Sequence, residues 1–558
     1  MKYVEKLKIL ENVFVSKDST LFVFLLLIAI NIVIRLPMTY HAVGVDTFYI
    51  QTLSSSISTF GRAEWLIHPG SFFGIYPYSY PSVQPYLLSI ISQALGISIE
   101  KSIFIFSLFL GQISLFSAYL LAKEFIDEDV YCLIAAFLFS ISPNLIRFTY
   151  WQSSTRGLFL AMLPFFILLI LRFGNKLKSQ DLLLVILSLV FLFATHRTSW
   201  FLVIIISAFV ISFLVYYIGS VLSYLAPLNA HTYRMFIVLF LSFSMFLLQF
   251  TKLSIFDMNT YYSVGLFVSG TDSLSQSINL FIDYFGKIGI LVIFSMIGLI
   301  GVSSKRDINF NEVFLIFSFM MLLPLMGLKN YSPLIMAPFL LILGILGIQV
   351  VVKNLSTSCK WGNSLTGVLI FLCIFSSIFL TLFMIGHWGI NEDSISDEMM
   401  VSTSFLQSKS TGTIVANNGF LANVITAYSG IPALPLGGSY AIPYPPNQIA
   451  YGFVNLDEIS TRPLSFSEIS PSTDTFYTLT RAPNAKSEWV EIMENSYLDD
   501  SSKYMLDNYN ANIVIEQKND KMYFYWSWRY SSMLVSLHDS GNMIYSSGNF
   551  NCFNLPNS

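Results

Sequence analysis

The stretch YPSVQPYLLSIISQALG, residues 80–96, decides how this chain threads a membrane. It is apolar, yet only about a dozen residues follow Pro85, where a helix needs ~20 to cross a ~30 Å hydrocarbon core. That length suits a re-entrant or interfacial helix. The basic loops support this reading. With residues 80–96 kept on the outer side, RFGNKLK (172–178), SSKRD (303–307) and VVKNLSTSCK (351–360) all fall in the cytoplasm. Cytoplasmic loops are where Lys and Arg are enriched. Counting 80–96 as a span turns every one of them outward.

Composition places the chain in the membrane. Of 558 residues, 54% are hydrophobic and 11% charged, where soluble domains carry about 25% charged residues. Apolar runs of roughly 18 or more residues recur from Thr20 to Gly386. The first run has no small-residue cleavage site behind it and reads as an anchor. Lys2, Lys6, Lys8 and Lys17 precede it and put the N-terminus in the cytoplasm. The expected spans are roughly 20–38, 99–122, 131–149, 157–173, 181–195, 199–218, 233–250, 279–301, 311–328, 333–352 and 364–386. That is about eleven, an odd number, so the tail beyond the last span is external. The fold class is a polytopic α-helical plasma-membrane protein with external juxtamembrane helices and a C-terminal soluble α/β domain. The membrane domain covers 1–387, with a large external loop at 39–97, and the soluble domain covers 388–558.

Net charge −3 says little about partners, and nothing points to nucleic acid. Cys132, Cys359, Cys373 and Cys552 are scattered and imply neither a disulfide framework nor a zinc site. Beyond His387 the chain turns polar and carries about nine more acidic than basic residues. There TGTIVANN, ANIVIEQK and KMYFYWSW read as strands. NMIYSSGNFNCFNL reads as a hairpin around Ser547-Gly548, and helix is expected near Ala485 to Tyr509.

In the loop after the first span, TFYIQTLSSSISTFG places Ile50, Leu53, Ile57 and Phe60 at helical spacing, with Ser and Thr opposite. This predicts a short amphipathic helix at the interface. Asp46 stands at its start, where a carboxylate can simply cap free N–H groups. Four basic residues break the positive-inside rule: Arg147, Arg156, Arg197 and Lys329 each lie where a helix meets the outer surface. Singly, each can snorkel to lipid head groups. Together on one face they suit the phosphate of a membrane-embedded lipid, since Arg offers bidentate hydrogen bonds and Lys a point charge. His196, beside Arg197, is either a polar cap or a further phosphate donor. Glu64 and His68 are either solvated loop residues or, with Tyr49, contacts for a donor or acceptor sugar. No phosphate-binding glycine loop, HExxH, Cys/His metal spacing or GxSxG is present. A transfer reaction here would use a donor already activated.

Several stretches carry a resemblance. They are GVDTFYI opening an external helix, YPYSYPSVQPYLLSIISQALG, ATHRTSW at a tight external turn, and GLKNYSPLIMAPFLLILG opening a late span. In layout the chain resembles the GT-C superfamily of membrane glycosyltransferases, most nearly the protein O-mannosyltransferases and the lipid A aminoarabinose transferase. The tail segments IVANNGFLANVITAYSGIPAL, ANIVIEQK and IYSSGNFNCFNL follow the order of the soluble domain of such enzymes.

The resemblance implies an inverting transfer of sugar from a polyprenyl (dolichyl-type) phosphate to an acceptor hydroxyl on the outer face. The acceptor could be a glycan, a lipid or a protein. Asp46 matches the family's catalytic base. Lys329 matches the residue that binds the lipid phosphate, His196 and Arg197 match a polar turn near it, and Arg147 and Arg156 occupy the second external loop. Many relatives carry an acid in that loop as part of a metal site; SPNLIRFTYWQSSTRG (142–157) has none. Either the reaction needs no metal or other cofactor, the favoured expectation, or Glu64, Asp257 or Asp272 supplies the missing acid. Two other classes remain open: a metal-using oligosaccharyltransferase or polymerase moving a lipid-linked glycan, and a non-enzymatic lipid or glycan transporter.

Overall fold

The computed structural model describes residues 17–63, 66, 69–74, 80–225, 273–305, 308–323, 332–358, 362–386, 395–410, 412–431, 433–434, 485–508, 510–518 and 531–555. The apolar runs become helices α1 (Lys17–Ile34), α2 (Val45–Phe60), α3 (Val83–Leu95), α4 (Ile99–Ala122), α5 (Asp129–Ser140), a single turn α6 (Pro143–Ile146), α7 (Thr155–Lys176) and α8 (Ser179–Phe193). They continue as α9 (Leu202–Leu225), α10 (Ser273–Ile288), α11 (Leu291–Ser303), α12 (Phe310–Leu322), α13 (Ser332–Ser358) and α14 (Gly362–Met384). Among the described residues five helices are long and apolar enough to cross a membrane: Ile99–Ala122, Thr155–Lys176, Thr198–Tyr217, Ser332–Leu355 and Gly367–Met384. Thr20–Ile34, Asp129–Ser140, Ser179–Phe193 and Phe310–Leu322 are shorter apolar helices. The segment whose length decided the threading, residues 83–95, is a helix of 13 residues.

Two expected spans differ. The run 131–149 stops at Ser140 and resumes as α6, because Pro143 disfavours helical backbone at the residue before it. The run 279–301 is two helices, bent by 101° between Phe281–Ile288 and Leu291–Ser303. Gly289, at φ +91°, makes the corner, a conformation open to glycine at little steric cost. Counted as one span, the pair would be a sixth. The span expected at 233–250 lies outside the described residues.

Lipid removes most of the hydrophobic drive between helices, so close backbone approach does the work. Helices α11 and α13 pack through Gly298, Gly344 and Gly347. A Cβ on Gly298 would overlap the Leu343 carbonyl, and one on Gly347 the Phe294 carbonyl. Gly298→Val is expected to cost about 1–3 kcal/mol through overpacking. A lowered midpoint in a thermal scan of the detergent-solubilised protein would show it.

Beyond residue 395 the chain forms α15 (Asp397–Lys409), β1 (Thr413–Ala416), α16 (Gly419–Ser429), β2 (Ala433–Leu434), α17 (Ala485–Glu494) and α18 (Asp500–Asn508). Then come β3 (Ala511–Gln517), α19 (Ser532–Ser540), β4 (Met543–Ser546) and β5 (Phe550–Asn554). The sheet order is β2-β1-β3-β5-β4. Strand β1 runs parallel to β2 and β3, while β5 is antiparallel to both β3 and β4. Side chains alternate across a strand, and the two faces follow that rule. Ile414, Ala416, Ile513 and Ile515 pack with Leu406 and Phe420; Val415, Val514 and Phe553 pack with Trp489 and Leu537. The hairpin turns at Ser547, whose N–H donates to the Phe550 carbonyl at 2.8 Å. KMYFYWSW lies outside the described residues.

Glu398 ties α15 to that hairpin, accepting the Asn549 backbone N–H at 3.2 Å and its side-chain amide at 2.9 Å. Desolvation opposes its charge, but hydrogen bonds from Asn549, Ser547 and Gly548 outweigh it and hold the carboxyl below the usual range. A depressed folded pKa gives stability that is present above the unfolded value, ~4.3, and lost as pH falls through the folded one. Thermal scans below about pH 4 should show an acid-induced loss that is smaller in Glu398→Gln.

Helix α2 joins the two parts. Ile50, Leu53 and Ile57 pack with Val83, Leu88 and Ile103. Phe48, fully buried, belongs instead to the apolar core around Ile414, Phe420 and Ile515. The helix expected from the apolar spacing is present, and both its sides are covered.

Candidate active site

Gly44 precedes α2 at φ +88°, and a Cβ there would overlap the Gln152 side chain. The backbone requires glycine, and a side chain there would also push Gln152 aside. The close approach brings the loop after α6 across the start of α2. Val43 N–H donates to the Trp151 carbonyl at 3.2 Å. Ser153 N–H donates to Thr47 Oγ1 at 2.9 Å, and Gln84 Nε2 to Ser153 Oγ at 2.7 Å. Trp151 holds φ +35° while buried. For a bulky side chain this is strain held by its surroundings.

This frame sets Asp46. Its carboxylate makes no cap: the N-cap residue is Gly44, with no side-chain cap bond. Instead Oδ2 accepts Ser154 Oγ at 2.9 Å and Arg156 Nη1 at 3.3 Å. Both described donors fall on Oδ2, so Oδ1 remains available to a ligand. The side chains of Asp46 and Arg156 are 42% and 28% exposed, enough to be reached from outside. Arg147 and Arg156 share one ring, their Cζ atoms 5.6 Å and 5.3 Å from the Phe148 centroid, within cation–π range. Thus Asp46 and Arg156, 110 residues apart in sequence, come together, with Arg147 on the ring that Arg156 also covers.

His196 begins the 3₁₀ turn Arg197–Phe201, its Nδ1 accepting the Thr198 N–H at 2.9 Å. Its imidazole caps the turn, and it is buried. The turn adjoins the loop frame, since the Ala194 carbonyl accepts Val83 N–H at 3.2 Å and Gln84 is the next residue. Arg197 is placed by its backbone at the head of that turn. Tyr49 is buried, its ring edge-on to Tyr80 at 4.9 Å, and the Tyr80 hydroxyl lies 3.3 Å from Thr155 Oγ1. Lys329, Glu64, His68, Asp257 and Asp272 lie outside the described residues.

Sequence reasoning missed Arg35, absorbed into the first span. It is fully buried. Its guanidinium donates to the Ser140 carbonyl at 2.7 Å, to Thr149 Oγ1 at 3.1 Å and to the Asn31 side chain. Gly111 makes room, since a Cβ there would overlap Asn31 and Arg35. Arg35 thus pins the end of α5 and the loop carrying Arg147 to the first helix. The visible signal was a cation at the end of an apolar run, where an ionisable residue marks function by default. Arg35→Ala strips donors from a buried carbonyl and a hydroxyl, at about 1–3 kcal/mol per unsatisfied group. A thermal scan should show the loss.

The fold raises the question of a divalent metal beside Asp46. The described residues around its carboxylate do not fit one, while Glu64, Asp257 and Asp272 lie outside the described residues. Oδ2 faces a guanidinium, a cation already in place, and the other neighbour is a serine hydroxyl. Among the described residues no three His, Cys, Asp or Glu side chains cluster.

No protein-family profile and no curated protein sequence matches the chain. Solved structures do. The Archaeoglobus fulgidus oligosaccharyltransferase tethered with an acceptor peptide superposes with a TM-score of 0.57 at 12% identity, covering 90% of this chain and 70% of that one. At that identity the likeness is one of fold. The archaeal oligosaccharyltransferase AglB of the same organism, in complex with an inhibitory peptide and a dolichol-phosphate, gives 0.53 at 13% identity, covering 89% and 69%. The mycobacterial arabinofuranosyltransferase AftD gives 0.50 at 12%, covering 96% of this chain and 41% of that one. With its long apolar helices and this likeness in fold to membrane proteins, the chain is an integral membrane protein.

Proposed function

We propose that this protein is an inverting glycosyltransferase that moves a sugar from a polyprenyl phosphate to an acceptor hydroxyl on the outer face of the membrane. One observation carries the reading: a partly exposed carboxylate is held on one oxygen by Ser154 and Arg156, and Arg156 shares the Phe148 ring with a second arginine. The acceptor oxygen attacks the anomeric carbon as Asp46 Oδ1 takes its proton. The bond from that carbon to the phosphate oxygen breaks, and its electron pair leaves on the lipid phosphate. A carboxylate suits the task because the acceptor proton becomes acidic late, as charge develops. Arg156 and Arg147 meet the growing negative charge, with Arg197 and Lys329 the further candidates. His196 shapes the turn. No metal step is needed, because the phosphate's counter-charge comes from guanidinium groups. The α/β unit formed by the described residues beyond 395 lies, on this reading, on the same outer side as the site.

The test incubates purified protein with a panel of polyprenyl-phosphate sugars and acceptors, with and without EDTA, and monitors release of free polyprenyl phosphate. Release that survives EDTA, with inverted product, is expected. Retained anomeric configuration would refute the mechanism. Release abolished by EDTA would favour the second reading, a metal-using transferase of a lipid-linked glycan, which the likeness in fold to AglB motivates.

A further inference from the structure

The segment leading into Asp46 is gripped from a second direction. Glu100, in the first turn of α4, places one carboxylate oxygen among three groups. Oε1 accepts the Ala42 backbone N–H at 2.9 Å and the Tyr428 hydroxyl at 2.8 Å, and His41 Nδ1 lies 3.2 Å away. The carboxylate also sits at the favourable end of the α4 dipole. Tyr428 is the next-to-last residue of α16, in the C-terminal unit. Burial, and then the neighbouring Glu100 charge, push its hydroxyl pKa far up, so the phenol stays protonated and donates.

Around this bond the two parts interlock. The His41 and Tyr428 rings meet edge-on at 6.0 Å, and Phe48 meets Phe420 at 5.5 Å and Tyr428 at 6.2 Å. Gln51 Nε2 reaches the Ala427 carbonyl at 3.4 Å. The chain between the clasp and Asp46 has no slack. Ala42 is bound to Glu100, Val43 to Trp151, and Gly44 lies against Gln152.

We propose that the C-terminal unit sets the position of Asp46 through this clasp, with Glu100 and Tyr428 as positioning residues. The proposal rests on the transferase reading for its activity arm alone. The C-terminal unit is then part of the site's framework, whether or not it also contacts an acceptor. A base displaced by as little as ~1 Å can lose ~10²-fold in rate. The removal of one hydroxyl, which leaves the aromatic packing intact, should loosen the segment without unfolding it.

The experiment compares full-length Tyr428→Phe, Glu100→Gln and Glu100→Ala with the wild type by two readouts. One is amide hydrogen exchange of the peptide covering residues 41–52; the other is kcat and KM for the donor. In Tyr428→Phe, exchange at 42–47 should rise about tenfold. In the same variant kcat should fall about tenfold with KM for the donor unchanged. Glu100→Gln keeps an acceptor oxygen and should sit between wild type and Glu100→Ala in both. Unchanged exchange in Tyr428→Phe and Glu100→Ala overturns the clasp. Raised exchange with unchanged kcat overturns the positioning role. If even the wild type shows no turnover, the transferase reading fails, and exchange decides the clasp by itself.

Discussion

Asp46→Asn should release polyprenyl phosphate about 10²–10⁴-fold more slowly than wild type, the usual range for a lost general base. The substitution is nearly isosteric. Its carboxamide can keep the bond from Ser154, so the loop frame and the donor site should persist. The loss should therefore fall on kcat, with donor affinity retained, which is the pattern of an interaction made only in the transition state. Single-turnover release, measured beside equilibrium binding of the donor lipid, separates the two. Equal release by both proteins would make Asp46 a mere anchor for Arg156, and the proposed base would be wrong.

Arg156→Gln should lower kcat/KM by about 10²–10³-fold, comparable with deleting one donor from an oxyanion site. Arg156 does two things in the structure: it grips Asp46 Oδ2 at 3.3 Å and stacks on Phe148. Glutamine can preserve a hydrogen bond but not the charge that meets the leaving phosphate. Arg156→Lys should recover only part of the rate, since lysine supplies a point charge without the planar fork. Arg147→Gln tests the same idea one step removed, because its guanidinium lies across the same ring. If Arg156→Gln leaves kcat/KM unchanged, the phosphate is held elsewhere, with Arg197 and Lys329 next to test.

Much of the architecture was legible because it rests on local patterns. Helix α4 covers Ile99–Ala122, the bounds its apolar run predicts. The strands at 413–416 and 511–517 and the hairpin at Ser547 arise from alternation and turn chemistry. What escaped depends on distance. Asp46 and Arg156 are 110 residues apart, and no periodicity links them. That is why the residues alone read Asp46 as a helix cap, and only the resemblance made it a base. Phe48 looked like one more residue of an interfacial helix, yet it fills the core of the other unit. Arg35 was hidden in hydropathy, which averages a lone cation away. The corner at Gly289 was hidden likewise, since a bent apolar run and a straight one have the same composition.

Phe48 also has a consequence in time. Gln51 and its contact Ala427 are separated by 376 residues. At ~5–20 residues per second, the start of α2 waits on the order of tens of seconds for its cover to be synthesised. Until then an aromatic side chain meant for a protein core stands uncovered beside the nascent bundle. The cover of Phe48 is among the last parts of the molecule to be completed, and a ribosome that stops before residue 420 leaves a chain whose first membrane helices are made and whose Phe48 lacks its partners.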